Sequence, residues 1–376
     1  IVLFKPKFRI NETLKEISNI LRTGWTGIGN KTITIENQWN KFTGLKNSLF
    51  VNSATAGLHI SVEVLKTFYK WKNNTEIITT PISFVSTSHC ILYSGLKPVF
   101  CDIDITGTLD PKKITKLINK KTKAIIFVGL GGSYGNLDKI LKICKKYKLK
   151  LILDAAHMAG AYHNGKHVGY ESDIAVFSFQ AVKNLPTADS GMVSFKNKNL
   201  ESIARKLSWC GIDKDTFARE KKYKSSQAWE YDVPFLGQKY NGNSLMATVA
   251  LVALKYLKID NIKRKNIAKI YFAKLKDNKK ITIVPHSKGS SRHLFSILVK
   301  NRNNIIKRLK EKNINPGVHY KSILDFSYYK KKNYIKKSKD MKISKRFSEE
   351  ILSLPMHLYL TKKDINKICN TINNET

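Results

Sequence analysis

The sequence predicts an α/β fold with a large domain built on a mostly parallel sheet, residues 1–255, and a smaller C-terminal α/β domain, residues 256–376. Three observations carry this. Short apolar runs such as Leu49–Val51, Ala124–Val128, Leu149–Leu153 and Ile174–Phe179 each stop at a polar or Gly-rich turn, the pattern of strands buried on both faces. Stretches with apolar residues at helical spacing separate them, and such alternation calls for parallel strands joined by crossovers. The 376 residues also exceed the usual span of one domain, so a large unit plus a smaller one is the default.

In order along the chain, Leu14, Ile17, Ile20 and Leu21 give Ile10–Arg22 a helical face, with Asn11 placed to cap it. Gly24-Trp25-Thr26-Gly27-Ile28-Gly29 breaks this helix, and a second, Thr32–Phe42, leads to the strand Leu49–Val51. Asn52-Ser53-Ala54-Thr55 then opens a helix toward Tyr69. Small hydroxyl residues at a strand-to-helix turn either cap the helix or gather N–H groups around an anion. Ile77–Thr80 is a strand, the next helix starts within Pro81–Thr87, and Lys97–Asp104 holds a further strand. Leu137, Ile140, Leu141 and Cys144 mark an amphipathic helix. Asn164-Gly165, between Tyr162 and His167, is a tight hairpin turn. The pattern loosens from Glu201 to Gln238, where Trp209, Trp229 and Tyr231 stand among charges. A helix Ser244–Leu257 leads into the second domain, with strands Ile281–Val284 and Leu294–Val299 and a helix Asn303–Lys312.

Composition narrows the function. The formal net charge is +39, which invites a nucleic-acid or membrane reading, yet only nine of the 67 basic residues are Arg. Arg is the residue of bidentate phosphate and base recognition, so its scarcity weakens that reading. Runs such as Lys330-Lys331-Lys332 read as solvated surface, and the excess charge suits attraction of an anionic small molecule. Five cysteines without C-x-x-C spacing point to a reducing cytoplasm and no structural zinc. No apolar run reaches membrane-spanning length, and the first residues lack the charged and apolar regions of a leader.

The chemistry concentrates between Leu149 and Phe195. Asp154 ends one apolar run, and Lys183 follows the end of another by a few residues. Ligands of open α/β sheets gather at the carboxyl ends of the strands. An acid and a lysine delivered there together fit pyridoxal 5′-phosphate (PLP), which needs a lysine for its aldehyde and a carboxylate for its pyridinium nitrogen. The bland reading is that Asp154 caps a helix and Lys183 is one solvated lysine among many.

Three motifs in this block separate the two readings: Asp154-Ala155-Ala156-His157, Gly165-Lys166-His167-Val168-Gly169 and Ser178-Phe179-Gln180-Ala181-Val182-Lys183-Asn184. Their order and spacing resemble the sugar aminotransferases of the DegT/DnrJ/EryC1/StrS family. The resemblance extends over nearly the whole chain and implies the aspartate-aminotransferase-like fold, PLP fold type I. It implies PLP on Lys183 with Asp154 at the ring nitrogen, and phosphate contacts from Ser53, Ala54, Thr55 and Ser178. It also places Phe84 against one ring face and His157 beside the ring. Trp25, Thr26, His319 and Tyr320 fall on family segments near the sugar. Gly237 to Asn241 falls where the family reaches the neighbouring subunit's phosphate, although Lys239 stands where Asn is usual and Asn241 where Arg is usual. The implied reaction moves an amino group, usually from glutamate, to the keto-sugar of a nucleotide diphosphate in a homodimer with shared sites, for cell-surface polysaccharide or related glycan synthesis. No metal, nucleic acid or membrane is implied. The rival readings are a catalytically silent member of the family and, from a different class, a basic nucleic-acid-binding protein.

Overall fold

The computed structural model describes residues 1–214, 230–332 and 340–376. Helices α1 (Ile10–Thr23) and α2 (Asn30–Thr43) precede a seven-stranded sheet. Its strands are β1 (Ser48–Val51), β2 (Glu76–Thr79), β3 (Lys97–Phe100), β4 (Thr122–Val128), β5 (Lys150–Asp154), β8 (Ile174–Ser178) and β9 (Gly191–Phe195), in the order β1-β9-β8-β5-β4-β2-β3. Every pair from β8 to β3 is parallel, and β9 alone runs against its neighbours β8 and β1. The small hairpin of β6 (Tyr162–His163) and β7 (Lys166–His167) turns at Asn164 and Gly165, both at positive φ, as the sequence pattern requires.

Residues alternate between two apolar layers, as the two-residue period of strands demands. One face carries Ile125, Phe127, Leu151, Leu153 and Phe177 against Trp39 of α2, Ile140 of α6 (Leu137–Tyr147) and the first half of α8 (Ser244–Leu275). The other carries Ala124, Ile126, Ile152 and Val176 against α3 (Ala54–Phe68) and α7 (Lys198–Ser208). Helices on both faces leave the strand ends as the open edge where side chains can meet.

A second sheet, β10 (Ile281–Ile283), β11 (Phe295–Val299) and β12 (Ile351–Leu354), is antiparallel throughout. Its core takes Ile267, Tyr271 and Leu275 from the second half of α8, with Ile305 and Leu309 from the helix Arg302–Glu311 and Ile365 and Ile368 from the C-terminal helix Lys362–Glu375.

Several boundaries differ from the sequence expectation. The helix expected to end at Leu257 runs to Leu275 and passes unbroken through residues 255 and 256. Its buried middle is polar: Arg9 Nη2 donates to both carboxylate oxygens of Asp260 at 2.9 Å, and Asn261 donates to the Ala159 carbonyl. These polar residues imitate a helix end when only the sequence is read. Asn11 is not the cap of α1, because the helix begins at Ile10 with Arg9 in the capping position. The helix expected to start within Pro81–Thr87 does so, at Ser86, as α4 (Ser86–Tyr93). Trp229 lies outside the described residues.

Asp102, just beyond β3, ties the two sheets together. Its carboxylate accepts from Lys113 Nζ at 2.8 Å, from the backbone N–H groups of Ser344 at 2.7 Å and Ile343 at 3.2 Å, and from the Ser344 hydroxyl. The last three sit at the start of the helix Lys342–Glu350, so one buried carboxylate fixes that helix to the edge of the large sheet. Removing that carboxylate strands the buried Ser344 N–H and hydroxyl, and a buried donor left unsatisfied costs about 1–3 kcal/mol. Asp102→Ala is expected to lower the unfolding free energy by about 1–3 kcal/mol in a urea titration; a loss below about 0.5 kcal/mol, the size of an ordinary surface change, would show that the tie is dispensable.

Candidate active site

The carboxyl ends of β1, β4, β5 and β8 open into one cavity of about 410 Å³. Asp154 is the last residue of β5 and is 4 % exposed. Thr87 Oγ1 donates to its Oδ2 at 2.7 Å, and the Ala156 N–H donates to its Oδ1 at 3.2 Å. Ser83 Oγ lies 2.7 Å from Thr87 Oγ1, so α4 and the turn before it hold the carboxylate in place. Burial pushes the Asp154 carboxyl up, while the Thr87 and Ala156 hydrogen bonds and the Lys183 charge pull it back. A carboxylate so placed favours a cationic N–H partner in the cavity.

Lys183 stands in the turn between β8 and β9, where the Lys183 N–H donates to the Gln180 carbonyl at 2.8 Å and the Phe179–Thr187 backbone closes the turn at 2.7 Å. Burial brings its pKa down to about 8, and Asp154 opposes that shift. His157, His293 and His319 stand around the same space. Burial and then the charge of Lys183 hold His157 well below its ordinary value, and burial brings His319 to about 4, so these rings are neutral at pH 7. His157 Nε2 lies 3.3 Å from the Tyr320 hydroxyl.

The opposite end is built by α3. Ser53 caps it, accepting from the Ala56 N–H at 3.1 Å, while the Gly57 N–H returns to the Ser53 carbonyl at 3.0 Å. The N–H groups of Ala54 and Thr55 therefore have no partner within the helix and stand at its positive end. Gly191, the first residue of β9, makes room for this turn: a Cβ there would lie 2.9 Å from the Ala54 nitrogen and 2.8 Å from the Phe177 carbonyl oxygen. Ser178 and Ser190 add hydroxyls to the same wall. Donors at a helix start, a carboxylate and a lysine inside one cavity match the phosphate, ring nitrogen and aldehyde of PLP.

Of the residues expected at the site, Ser53, Ala54, Thr55, Phe84, Asp154, His157, Ser178, Lys183, His319 and Tyr320 all line this cavity. Phe84 is 57 % exposed and lines the cavity, so it is not a core side chain. Trp25 and Thr26, expected near the sugar, are not part of its wall: Trp25 Nε1 donates to the Ile28 carbonyl, and the Thr26 carbonyl accepts from the Ser244 N–H at 2.9 Å. Lys239 and Asn241 are also absent from it. Lys239 Nζ lies over the Trp209 ring at 3.0 Å, and Asn241 lines a second cavity beside Glu36 and Arg205. Their backbone nevertheless flanks the Ser53 turn, since the Asn52 N–H donates to the Tyr240 carbonyl at 2.8 Å.

Sequence reading missed Phe4 and gave no part to Thr87 or His293. Thr87 lay within the expected helix start, Pro81–Thr87. Phe4 stacks on His293 at 5.5 Å and meets His319 edge-on at 5.7 Å, contacts between segments nearly 300 residues apart.

A mostly parallel sheet with these groups at its strand ends defines a PLP-dependent enzyme of fold type I. The sequence profile of the DegT/DnrJ/EryC1/StrS aminotransferase family matches residues 8–373, and the chain belongs to that family. Among curated relatives, it is 31% identical over 375 residues to the UDP-4-amino-4-deoxy-L-arabinose–oxoglutarate aminotransferase of Shewanella sediminis, covering 96% of this chain and 94% of that one. Among solved structures, PseC of Helicobacter pylori, an aminotransferase involved in the biosynthesis of pseudoaminic acid, superimposes with a TM-score of 0.90 at 29% identity over 99% of this chain and 98% of that one. The PLP form of the sugar aminotransferase Spr1654 of Streptococcus pneumoniae gives 0.89 at 26% identity, over 100% and 98%. The cofactor is PLP.

The low pKa of Lys183 has a stability consequence. Between about 8 and the ordinary value of 10.5 the unfolded chain binds this proton and the folded chain does not, so folding gains stability as pH rises through that window. Below it, the buried ammonium costs the fold its full penalty. In cofactor-free protein, Lys183→Met is expected to raise the melting temperature at pH 7, with the gain shrinking from pH 8 upward. Melting curves showing a gain that grows with pH would contradict this.

Proposed function

We propose that the enzyme transfers the amino group of an amino acid, glutamate, to the keto carbon of a nucleotide-diphosphate sugar, in the cytoplasm, for a cell-surface polysaccharide such as lipopolysaccharide O-antigen or a related glycan. The observation that carries the proposal is the delivery of Asp154 and Lys183 into one cavity that also holds the start of α3 and a polar wall of His293, His319 and Tyr320. The names of the Shewanella and Helicobacter relatives support an amino-sugar product.

In this reading Asp154 receives the cofactor's ring N–H, with Thr87 and Ala156 holding its oxygens toward it. Ser53, Thr55 and Ser178 hydroxyls and the Ala54 N–H hold the phosphate, Phe84 covers one ring face, and His157 stands beside the ring. When bound, PLP supplies an electron sink for the carbon that loses its proton. Lys183 Nζ would hold the cofactor at its aldehyde carbon and, as a free amine, would carry a proton to and from the substrate carbon. With a pKa near 8 it has a usable neutral fraction near pH 7, which suits a base that must also give the proton back. The abundant lysines draw in the doubly charged nucleotide.

Borohydride treatment of the yellow enzyme, followed by peptide mapping, is expected to find the pyridoxyl group on Lys183; another lysine would displace the assignment. Asp154→Asn keeps the shape and removes the charge, and the glutamate half-reaction is expected to slow by about 10³–10⁴-fold, the scale seen when a catalytic carboxylate is neutralised in place. A rate within about tenfold of the parent, a barrier change near 1.4 kcal/mol, would reduce Asp154 to a cap.

The active unit in this proposal is a homodimer in which Lys239 and Asn241 reach the neighbour's phosphate. Their absence from their own cavity and the position of their backbone beside the Ser53 turn support it. Mixing Lys183→Ala subunits with subunits altered at both Lys239 and Asn241 is expected to restore activity, because one site of each mixed dimer then carries no defect. Proven exchange without recovery would place both residues in their own subunit's site.

A further inference from the structure

Asn184, next to Lys183, is buried and has every side-chain polar atom engaged. Its Nδ2 donates to the Ser291 carbonyl at 2.9 Å and to Asn261 Oδ1 at 2.7 Å. Asn261 Nδ2 in turn donates to the Ala159 carbonyl at 2.9 Å. Two backbone carbonyls, which only accept, thus fix the orientation of both amides. Asn184 Oδ1 is therefore the atom that faces His293 Nδ1 at 3.0 Å, and Nδ1 must carry the proton. A neutral ring with its proton on Nδ1 leaves Nε2 as a lone-pair acceptor. Burial holds this ring neutral, reinforced by the charges of Lys183 and Arg264.

His157 has the opposite polarity. The Gly131 N–H donates to its Nδ1 at 3.2 Å, so its proton is on Nε2 and points to the Tyr320 hydroxyl. The two imidazoles lie 4.4 Å apart, and Phe4 covers the other side of His293 with its plane only 10° away. His293 is held between them in one orientation. It lines the cavity, and among the described residues its Nε2 has no hydrogen-bond partner.

We propose that His293 Nε2 accepts a hydrogen bond from a hydroxyl of the acceptor sugar, with Asn184 as the positioning residue that sets its tautomer. This rests on the nucleotide-sugar reading above. An unprotonated Nε2 accepts from an O–H and has nothing to offer a carboxylate or phosphate, so it reads the neutral ring of the sugar and leaves its anionic part to other groups. A site built to take a substrate hydroxyl rejects the analogue that lacks it, because its own polar atom is left unpaired.

The test uses the PLP-loaded enzyme with ring-¹⁵N-labelled histidine, His293 being assigned by loss of its signal in His293→Phe or, if that variant folds poorly, in His293→Gln. At pH 7 the parent is expected to show a protonated Nδ1 and an unprotonated Nε2. Calorimetry then compares UDP-glucose and dTDP-glucose, which lack a ketone and bind without turnover, with analogues in which fluorine replaces one hydroxyl at a time. One analogue is expected to bind about tenfold more weakly, the worth of a good neutral hydrogen bond. In His293→Phe the unmodified sugar is expected to lose about the same factor, and that analogue no more, as for two groups of one contact. A protonated Nε2, equal binding of all analogues, or an analogue penalty that survives in His293→Phe would each overturn the proposal while leaving the aminotransferase reading intact. Failure of both parent sugars to bind would overturn the nucleotide-sugar reading and this proposal together, with the ¹⁵N tautomer still reporting on Asn184 by itself.

Discussion

A carboxylate at the buried end of a central strand is the constraint to which the site answers. Desolvation raises the Asp154 carboxyl, and a neutral acid would leave nothing to stabilise a cationic ring. The surrounding chain supplies what opposes that shift: a hydroxyl from α4, an N–H from the turn after β5, and an amine from the turn after β8. The first two come from connections between parallel strands and the third from the turn that reverses into β9, so both kinds of pairing in the sheet serve the site. All three connections open at the same edge, where the strand carboxyl ends gather.

The Lys183 amine benefits from the same environment in the opposite sense. The dry surroundings that make a carboxylate costly also make an ammonium costly, so the lysine loses its proton more readily than it would in water. The neutral histidines follow the same rule. The cavity thus holds a hydrogen-bonded carboxyl beside an easily deprotonated amine, with uncharged rings whose tautomers are set by their neighbours. Electrostatic roles are distributed by burial and hydrogen bonding more than by residue type.

Much of this was legible in the sequence because strands and the turns after them are local. Asp154 ends an apolar run, Ser53 opens a helix, and Lys183 sits in the turn between two runs; each is visible within ten residues, and the family motifs name them. What escaped depends on distance. Phe4 and His293 meet only because the first residues cross to the second sheet, and no local pattern announces that. Helix α8 was cut short because Asp260, Asn261 and Arg264 look like a solvated ending, although each is buried against a partner from elsewhere in the chain. Thr87 stood inside an expected helix start, but its use became apparent only when β5 and α4 were placed side by side.

The path of the first nine residues bears on how the molecule is made. Ile1 accepts from the Asn315 N–H, Leu3 accepts from the Met356 N–H, Phe4 lies on His293, and Arg9 grips Asp260. Synthesis releases this segment long before any of those partners exists, so it waits on the ribosome with nowhere to dock. The large sheet, complete once β9 has emerged, can assemble meanwhile. The cavity acquires its last wall only when His319 and Tyr320 have emerged, so a nascent polypeptide leaves Asp154 and Lys183 open to water from their own synthesis until then.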